Sequence, residues 1–571
     1  MVSAVYRFIL MGIFLNLTFQ TKGQSDSLIA DILLIGDAGE LTQGRQPVMD
    51  AIRQITQQSG KKASAAFFLG DNIYPTGLPA AGDRRFSKAK VILDTQWSAA
   101  LQFAQQVYFI PGNHDWARGR AYGLDQIQRQ AQYINELEKQ GLKFLPENGC
   151  PGPEEIEIAE EVTAIVIDSQ WWLQQNNRPG ESSDCDCKTE DEVLYRLKDL
   201  LYKNRNKTVL FLSHHPFISS GIHGGYYQFK QHIFPLTEVN PNLYVPLPIL
   251  GSIYPLVRGG IGNIQDIKHP IYRKMSASID SLLAQHPACI RIAGHEHGLQ
   301  FIEKGGQRYI VSGAGSKYTR HRESTDNHIS FSTTGYVRLQ IFTGGRYRLS
   351  IAEATADTHR NLLEKQWEHA FTTSAGTVTE IPTRWPDSVT LAAAPYFKAG
   401  PFKRMLFGKN YREEWTTPVT VPVISISELS GGLQPTRRGG GMQSRSLRLE
   451  DSSGREYVLR SIEKYPDKTL PEELRQTFVK DAIVDGISAS YPFAALSVPP
   501  LLQAAGIPHT KPRLVYLPDD PALQQYRQDF ANKLYLFEAR VPEELEKTHS
   551  TDKVIRALEK DNDNKIDQLA V

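Results

Sequence analysis

Several short apolar runs in this chain of 571 residues end in side chains that can bind metal ions. The candidate ligands are Asp37, Asp71, Tyr74, Asn113, His214, His295 and His297. They form a mixed oxygen and nitrogen set without thiolates, which suits two hard or borderline ions such as Fe, Zn or Mn. Two ions about 3.5–4 Å apart and bridged by a carboxylate can clamp the attacking and leaving oxygens of a phosphoryl displacement. Asp71 is the candidate bridge.

The stretch "GHEH" offers two histidines at alternate positions, His295 and His297. In a locally extended chain, alternate side chains project to the same side. One ring is therefore available to each metal ion. For any single motif the alternative is an ordinary turn, since Asp and Asn are common turn formers. Five such motifs in one chain favour the metal site.

The elements that position these residues follow from the same pattern. The runs "IADILLIGD", "AAFFLGD", "VYFIPGNHD", "VTAIVIDSQ", "TVLFLSHH" and "CIRIAGHEH" have the length and apolarity of buried strands. Between several of them lie helical patterns such as "PVMDAIRQI", "DEVLYRLKDLL" and "SASIDSLLAQ". Strands alternating with helices predict an α/β layered core, with the polar strand ends converging on one rim.

The ordered motifs "GDAG", "GDNIY", "GNHD", "SHHP" and "GHEH" resemble those of the calcineurin-like metallophosphoesterases, and in detail those of the tartrate-resistant purple acid phosphatases. The resemblance runs from about Ile32 to about Ser316. It implies a layered β-sandwich flanked by helices. It also implies an exported hydrolase of phosphomonoesters, acting by in-line attack of a metal-activated hydroxide. A phosphodiesterase or nucleotide hydrolase on the same site is the alternative.

The same resemblance implies a ligand assignment. Many metallophosphoesterases carry a histidine two places after the first aspartate, where this chain has Gly39. In purple acid phosphatases a tyrosine of a G-D-x-x-Y motif takes its place, and Tyr74 occupies that position. The first ion would be bound by Asp37, Asp71, Tyr74 and His297, and the second by Asp71, Asn113, His214 and His295. A phenolate ligand implies Fe(III) at the first site, beside Fe(II), Zn(II) or Mn(II) at the second. The alternative is that Tyr74 only lines the pocket.

Other residues are expected to act on the substrate. His114 would steady the phosphoryl oxygens or protonate the leaving group, with Asp115 orienting its ring. His223, nine residues after His214, matches a second substrate-facing histidine of the mammalian-type enzymes, whereas the alternative is a solvated loop residue. His215 is expected to neighbour the site. An aromatic rim at Tyr226, Tyr227 and the loop that follows suits nucleotides or aryl phosphates, and equally suits plain packing.

Charge and the N-terminus bear on location. The 64 Lys and Arg residues nearly balance the 63 Asp and Glu residues, so no global field favours nucleic acid or an anionic membrane as a partner. Residues 1–23 place Arg7 before an apolar stretch and small residues before Gln24, as a signal peptide does. A buried or disordered N-terminus is the alternative. We therefore expect an exported protein that is periplasmic, associated with the cell envelope, or secreted.

The four cysteines allow one or two bridges in an oxidising compartment. We expect a disulfide from Cys150 to Cys185 or Cys187. Cys289, inside the apolar "ACIRIAG", is expected to be a buried free thiol.

The motifs stop after about residue 355. We predict a phosphoesterase domain over 28–355, a linker over 356–417 and an incomplete α+β accessory domain over 418–571. The accessory domain includes a hairpin closed by "DSSG", and its Arg437 and Arg438, next to three glycines, are a candidate phosphate cradle. It resembles the segment that joins an exported phosphoesterase to an outer-membrane surface-antigen-like barrel in long envelope proteins. That resemblance implies an envelope partner, and a second function class: an interaction platform with a non-catalytic phosphoesterase fold.

Overall fold

The computed structural model describes residues 27–59, 62–226, 233–234, 244–246, 262–356, 358–369, 385–439, 444–465 and 478–541. The predicted signal peptide, most of the rim loop after Tyr226 and the C-terminal stretch from residue 542 lie outside these ranges. Among the residues that are described, no helix is both long and apolar enough to cross a bilayer.

Two seven-stranded sheets form the larger unit. The first has the order β14-β13-β12-β1-β2-β3-β4, with bounds β1 Leu28–Ile35, β2 Ala63–Phe68, β3 Ala104–Phe109, β4 Leu142–Phe144, β12 Gly335–Phe342, β13 Arg346–Ala354 and β14 His359–Glu368. The second has the order β11-β9-β10-β8-β7-β6-β5, with bounds β5 Glu154–Ala159, β6 Val162–Val166, β7 Thr208–Ser213, β8 Cys289–Ala293, β9 Leu299–Lys304, β10 Gln307–Ser312 and β11 His328–Phe331. Strands β1 to β4 are parallel, as are β6, β7, β8 and β10.

The central strands carry apolar side chains on both faces, because the other sheet covers one face and helices cover the other. On β1, Ile32 and Leu34 pack in the core between the sheets, while Leu33 and Ile35 pack under the helices. The flanking helices are α1 Pro47–Ser59, α2 Phe86–Phe103, α3 Gly123–Asn135, α4 Ser169–Leu173, α5 Glu190–Lys203 and α6 Pro270–Leu283. This arrangement confirms the predicted sandwich flanked by helices and the predicted strand runs.

The sheet continues past the predicted end of the domain. Strand β14 pairs with β13 along its whole length, so the first sheet extends to Glu368. The described part of the predicted linker also holds β15 Ser388–Leu391, α7 Pro401–Phe407 and α8 Arg412–Thr416. A pattern rich in Thr, Pro and Gly therefore contains short ordered elements here.

A second, smaller unit follows and is α+β, as predicted. Strand β16, Val419–Pro422, pairs with β15. A five-stranded antiparallel sheet has the order β17-β18-β19-β21-β20, with bounds β17 Gln434–Gly439, β18 Ser444–Glu450, β19 Glu456–Lys464, β20 Arg513–Leu517 and β21 Lys533–Ala539. Helices α9 Phe478–Gly486, α10 Ala494–Ala504 and α11 Arg527–Phe530 accompany it. The predicted hairpin is β18 and β19, closed where Asp451 Oδ1 accepts hydrogen bonds from the amides of Ser453 and Arg455.

The two units contact each other through β17 and α5. The Arg438 guanidinium lies 3.9 Å from the centre of the Tyr195 ring and donates to Asp529 Oδ2 at 2.7 Å. Arg437 donates to the backbone oxygen of Asp186 at 2.8 Å. Both arginines therefore have protein partners, and two glycines of the predicted phosphate cradle, Gly440 and Gly441, lie outside the described residues.

The cysteine prediction is confirmed. Cys150 and Cys185 form a disulfide, which ties the loop before α5 to the turn before β5. Cys187 and Cys289 are buried free thiols. Burial raises the pKa of each of the two thiols to about 12.

Candidate metal centre

The candidate ligands lie where parallel strands end, on turns that few residues can adopt. Asp37, Asp71 and His295 have φ values of 57°, 53° and 64°, in the left-handed region. The chain also passes itself closely there. A Cβ on Gly112 would lie 2.2 Å from the amide nitrogen of Asp71. Only glycine at this point lets the loops after β2 and β3 approach each other.

The first group of donors is Asp37, Tyr74 and His297. The Tyr74 hydroxyl donates to Asp37 Oδ1 at 2.9 Å and lies 3.2 Å from His297 Nε2. His297 Nε2 is 3.4 Å from the same carboxylate oxygen. Three of the four predicted ligands of the first ion thus converge. Lys317 Nζ lies 3.2 Å from the centre of the Tyr74 ring, a contact that the sequence did not suggest.

The second group is Asn113, His214 and His295. The Nδ1–H of His214 donates to the Leu69 carbonyl at 2.8 Å, and the Nε2–H of His295 donates to the Gln265 carbonyl at 2.9 Å. Because a carbonyl can only accept, each neutral ring keeps its proton on the outside. The inner nitrogens then face each other at 3.2 Å, and both face Asn113 Oδ1, at 2.9 and 3.1 Å.

Asp71 lies between the two groups. Oxygens or nitrogens of Asp37, Asp71 and His214 are within 4.8 Å of one another. Asp71 Oδ1 accepts from the His114 amide at 2.8 Å and is 3.5 Å from His214 Nε2. Burial alone would raise the Asp71 pKa, but His114 and His214 lower it below its usual value. Burial, partly offset by His214, raises the pKa of Asp37 to about 7.

The donor set fits two metal ions. The inner ring nitrogens of His214 and His295 and the side-chain oxygen of Asn113 lie within 3.2 Å of one another, so a single cation could be bound by all three. Burial lowers the pKa of His295 well below its usual value and that of His297 to about 3, so both rings remain neutral ligands. The carboxylate, phenol and imidazole donors of the first group are those of a hard or borderline ion.

His114 lies in the site, but Asp115 has a different task from the predicted one. The His114 Nδ1 pairs with the Pro75 carbonyl at 2.7 Å. Asp115 is fully buried and accepts hydrogen bonds from the amides of Asn72 and Gly112 and from the Gln130 side chain. Its oxygens therefore join the loops after β2 and β3, and do not orient the His114 ring.

His223 is part of the pocket, and it has a partner that the sequence analysis missed. Its ring centre is 4.0 Å from that of His295, and its Nδ1 is 2.8 Å from Asp266 Oδ1. The amide of His223 donates to Glu296 Oε2 at 3.0 Å. Asp266 is only 2% exposed, although it lies in a loop with no apolar run to mark it.

The loop 262–269 contacts three histidines of the site. Besides Asp266, the Gln265 carbonyl accepts from His295, and Gln265 Oε1 is 2.7 Å from His215 Nε2. His215 Nδ1 pairs with Ser169 Oγ at 2.8 Å, so both its ring nitrogens have protein partners. This agrees with the prediction that His215 is a neighbour. No local signal in the sequence indicated these two residues. Gln265 lies 50 residues after its partner His215, and Asp266 lies 43 residues after its partner His223.

A cavity of about 460 Å³ opens onto these groups. It is lined by Asp71, Asn113, His114, Arg118, Gly119, Leu173, Gln175, Ile222, His223, Asn263, Ile264, Gln265, His295, Glu296, His297 and Thr319. This volume suits a small-molecule ligand. Arg118 contributes a positive charge to this lining, alongside four histidines and the carboxylates of Asp71 and Glu296.

Comparison with known proteins finds a family match over part of the chain. Residues 30–245 match the family described as calcineurin-like phosphoesterase, a stretch that ends before the "GHEH" ligands. No curated protein matches this sequence.

Several solved structures of low identity are similar to part of this chain. GAP50, the anchor in the inner membrane complex of Plasmodium, is 12% identical, with a TM-score of 0.40 over 60% of this chain and 89% of its own. The purple acid phosphatase PPD1 from yellow lupin seeds is 12% identical, with a TM-score of 0.39 over 60% of this chain and 55% of its own. PhoD is 10% identical, with a TM-score of 0.36 over 61% of this chain and 71% of its own. The match to the calcineurin-like phosphoesterase family covers 216 of the 571 residues, and that part of the chain carries Asp37, Asp71, Tyr74, Asn113 and His214.

Proposed function

We propose that this chain is an exported dinuclear-metal phosphatase that hydrolyses phosphomonoesters. The observation that carries the proposal is the pair of donor groups on either side of Asp71, both next to one polar cavity. A platform without catalysis would not need two converging sets of metal-binding side chains beside an open cavity. The predicted alternative of a non-catalytic platform is therefore the weaker one.

Different residues of the chain would bind the ions and contact the substrate. Asp37, Tyr74 and His297 would hold one ion, and Asn113, His214 and His295 the other, with Asp71 shared. The bound ions would neutralise phosphoryl oxygens and lower the pKa of the water that attacks phosphorus. His114 and His223 line the cavity where they can contact the phosphoryl group or the leaving oxygen. Arg118 would attract the anionic substrate.

The identity of the ions belongs to the proposal. A buried phenol such as Tyr74 has a pKa raised well above its usual value, first by burial and then by Asp37 and Asp71. It becomes a good ligand only when a highly charged ion takes its proton's place. We therefore propose Fe(III) at the site of Tyr74, and Fe(II), Zn(II) or Mn(II) at the other.

An exported location is supported by the Cys150–Cys185 disulfide. Such bridges persist in oxidising compartments and are rare in the reducing cytosol. We propose the periplasm, the cell envelope or the exterior as the place of action.

The test compares Asp71→Asn with the parent in metal content and in hydrolysis of p-nitrophenyl phosphate. We expect the variant to lose bound metal and at least about a hundredfold of its rate, because it loses the bridging charge. The matched control is Asp326→Asn, which changes an exposed carboxylate. Equal rates for Asp71→Asn and the parent would refute catalysis at this site.

The same preparation identifies the ion beside Tyr74. A visible absorption band that disappears in Tyr74→Phe would show tyrosinate bound to ferric iron. A colourless parent with two zinc or manganese ions would refute the iron assignment and leave the hydrolase. Faster turnover of bis(p-nitrophenyl) phosphate than of the monoester would favour a diesterase.

A further inference from the structure

Exposed apolar side chains are concentrated in one part of the molecule. Among the described residues, eleven of the eighteen large apolar side chains that are exposed lie between residues 396 and 507. They are Tyr396, Phe402, Met405, Leu406, Phe407, Tyr411, Ile483, Tyr491, Val498, Leu501 and Ile507. Exposed apolar side chains that form a patch mark binding surfaces.

Helix α7 exposes nearly all of its apolar side chains. Phe402, Met405 and Leu406 are 70%, 73% and 58% exposed, and none of the helix residues is buried. Phe407 is also half exposed. This helix has aromatic and aliphatic side chains without a core to pack against in the described structure.

Helix α10 shows the same property in a longer segment. Its sequence, "AALSVPPLLQA", has no charged residue, and none of its residues is buried. Leu501 is 70% exposed and Val498 46%. A helix that is apolar all round normally lies inside a protein or in lipid.

Hydrogen bonds and a ring contact connect the segments that flank the two helices. The segment after α7 is fixed to the segment that leads into α10: the Tyr411 amide donates to the Ser488 carbonyl at 2.9 Å, and Trp415 Nε1 donates to the Ser490 carbonyl at 2.8 Å. The rings of Tyr411 and Tyr491 are 5.5 Å apart.

The charged residues next to these helices in the sequence are mostly basic, although Lys403 of α7 pairs with Asp485 of α9. Residues 396–411 contain Lys398, Lys403, Arg404 and Lys409 and no carboxylate. Residues 486–518 likewise contain no Asp or Glu, and they include Lys511 and Arg513. The chain as a whole is nearly neutral, so this is a local excess of positive charge. Exposed Phe, Leu and Met beside Lys and Arg is the composition of segments that lie in the interface of an anionic bilayer.

We propose that α7 and α10 form a membrane-binding surface that inserts shallowly into a bilayer containing anionic lipid. We call it the α7–α10 surface and define it by Phe402, Met405, Leu406, Val498 and Leu501. At about 1.5 Å per residue, α10 is about half as long as a bilayer core is thick, so it lies in the interface. This inference does not depend on the proposed hydrolysis.

A site-specific probe on the full chain tests the proposal. Met405→Cys is labelled with an environment-sensitive fluorophore, since Cys187 and Cys289 are buried and the other two cysteines form a disulfide. We expect the emission to shift to the blue when vesicles of phosphatidylcholine with one part in four phosphatidylglycerol are added. Vesicles of phosphatidylcholine alone should give a much smaller shift. The matched control is Val91→Cys on α2, which is also exposed and should give none.

Substitutions separate insertion from charge. Phe402→Ser with Leu406→Ser should lower the fraction that floats with the anionic vesicles at least tenfold, and should leave the melting temperature unchanged because both side chains are exposed. Lys398→Glu or Lys409→Glu should each weaken flotation by roughly fivefold. No shift of the Met405 label with anionic vesicles at low salt would overturn the proposal. A shift that follows protein concentration without vesicles would also overturn it, since a second copy would then cover the surface.

Discussion

Two buried imidazoles, His214 and His295, illustrate how single residues build this site. Each ring donates an N–H hydrogen bond to a backbone carbonyl on the outside and turns its other nitrogen inward. The inner nitrogens of His214 and His295 are 3.2 Å apart and share one amide oxygen, that of Asn113. The two backbone carbonyls thus orient the rings so that their inner nitrogens can bind the same cation.

At the same scale, Asp266 is the residue we expect to position His223. Asp266→Asn replaces a carboxylate oxygen 2.8 Å from His223 Nδ1. We expect hydrolysis of p-nitrophenyl phosphate to fall about 10–100-fold in kcat, with little change in KM, because a partner of this kind sets ring orientation. Steady-state kinetics measures both constants.

A double variant checks that the two residues act together. His223→Asn alone should lose as much rate as His223→Asn with Asp266→Asn, since the partner has no task once the ring is gone. If the two losses multiply, then Asp266 acts on something other than His223.

Among the elements, the turns after the strands decide whether the ligands meet. Gly112 lies where the loop after β3 passes the loop after β2. In Gly112→Ala the new Cβ would lie 2.2 Å from the Asp71 amide and 2.4 Å from Asp71 Oδ1. We expect a loss of stability of about 1–3 kcal/mol and a loss of bound metal, because the backbone that carries Asp71 must shift.

The control for this substitution is Gly82→Ala. A Cβ there meets nothing within 4 Å, so the melting temperature should stay close to that of the parent. Thermal unfolding followed by fluorescence compares the three proteins. Equal melting temperatures for both variants would contradict the steric argument.

In the second unit, α8 is joined to α9 by a buried ion pair that should make stability depend on pH. Arg412 donates to both oxygens of Asp485, at 2.9 and 2.5 Å, and Lys403 Nζ is 2.7 Å from one of them. Hydrogen bonds from Arg412, stronger than the opposing effect of burial, lower the pKa of Asp485 below its usual value. A lowered carboxyl pKa gives stability that is present above the unfolded-state pKa of about 3.9 and is lost as pH falls through the folded value.

Asp485→Asn should therefore be less stable than the parent at pH 7, by about 3–5 kcal/mol, since it leaves Arg412 buried without its charge partner. Its stability should fall less than that of the parent on acidification from pH 5 to below pH 3. Denaturant unfolding at several pH values measures this difference. Asp519→Asn, whose pair with Arg527 is well exposed, serves as the control and should cost less than about 1 kcal/mol. A parallel pH profile for parent and Asp485→Asn would refute the assignment.

At the scale of the whole molecule, Arg438 joins the two units. Its side chain is only 10% exposed, and it contacts Tyr195 on α5 of the larger unit and Asp529 of the smaller one. Helix α5 follows the loop that the Cys150–Cys185 bridge holds, so docking of the second unit also covers a part of the first that is covalently tied down.

We expect Arg438→Ala to weaken this contact without unfolding either unit. Amide hydrogen exchange in α5 should become at least several-fold faster, because Tyr195 of the helix loses its cation–π partner, while exchange in β1 and β7 stays slow. The control is Arg460→Ala, which removes an ion pair with Glu538 within the five-stranded sheet of the smaller unit. It should leave exchange in α5 unchanged. Unchanged exchange of α5 in Arg438→Ala would show that the contact contributes little.

Local patterns in the sequence were enough for much of this protein. The strands that carry the ligands, the polar residues at their ends, the β18–β19 hairpin and the buried thiol of Cys289 were all predicted. Each depends on neighbours within about ten residues: an apolar run long enough to be buried, followed by a turn that exposes one or two polar side chains. The resemblance of five such stretches to one family then supplied the arrangement of the sandwich.

Only the tertiary structure decided which distant residues meet. It selected Cys185 over Cys187 as the partner of Cys150, and it brought Asp266 to His223 across 43 residues. It also showed that Asp115 accepts hydrogen bonds from backbone amides rather than orienting the His114 ring. Arg437 and Arg438 contact the larger unit. These outcomes depend on how sheets, loops and helices pack after they form. A contact between residues far apart in the chain leaves no periodic trace in the sequence around either one, so no local pattern can encode it.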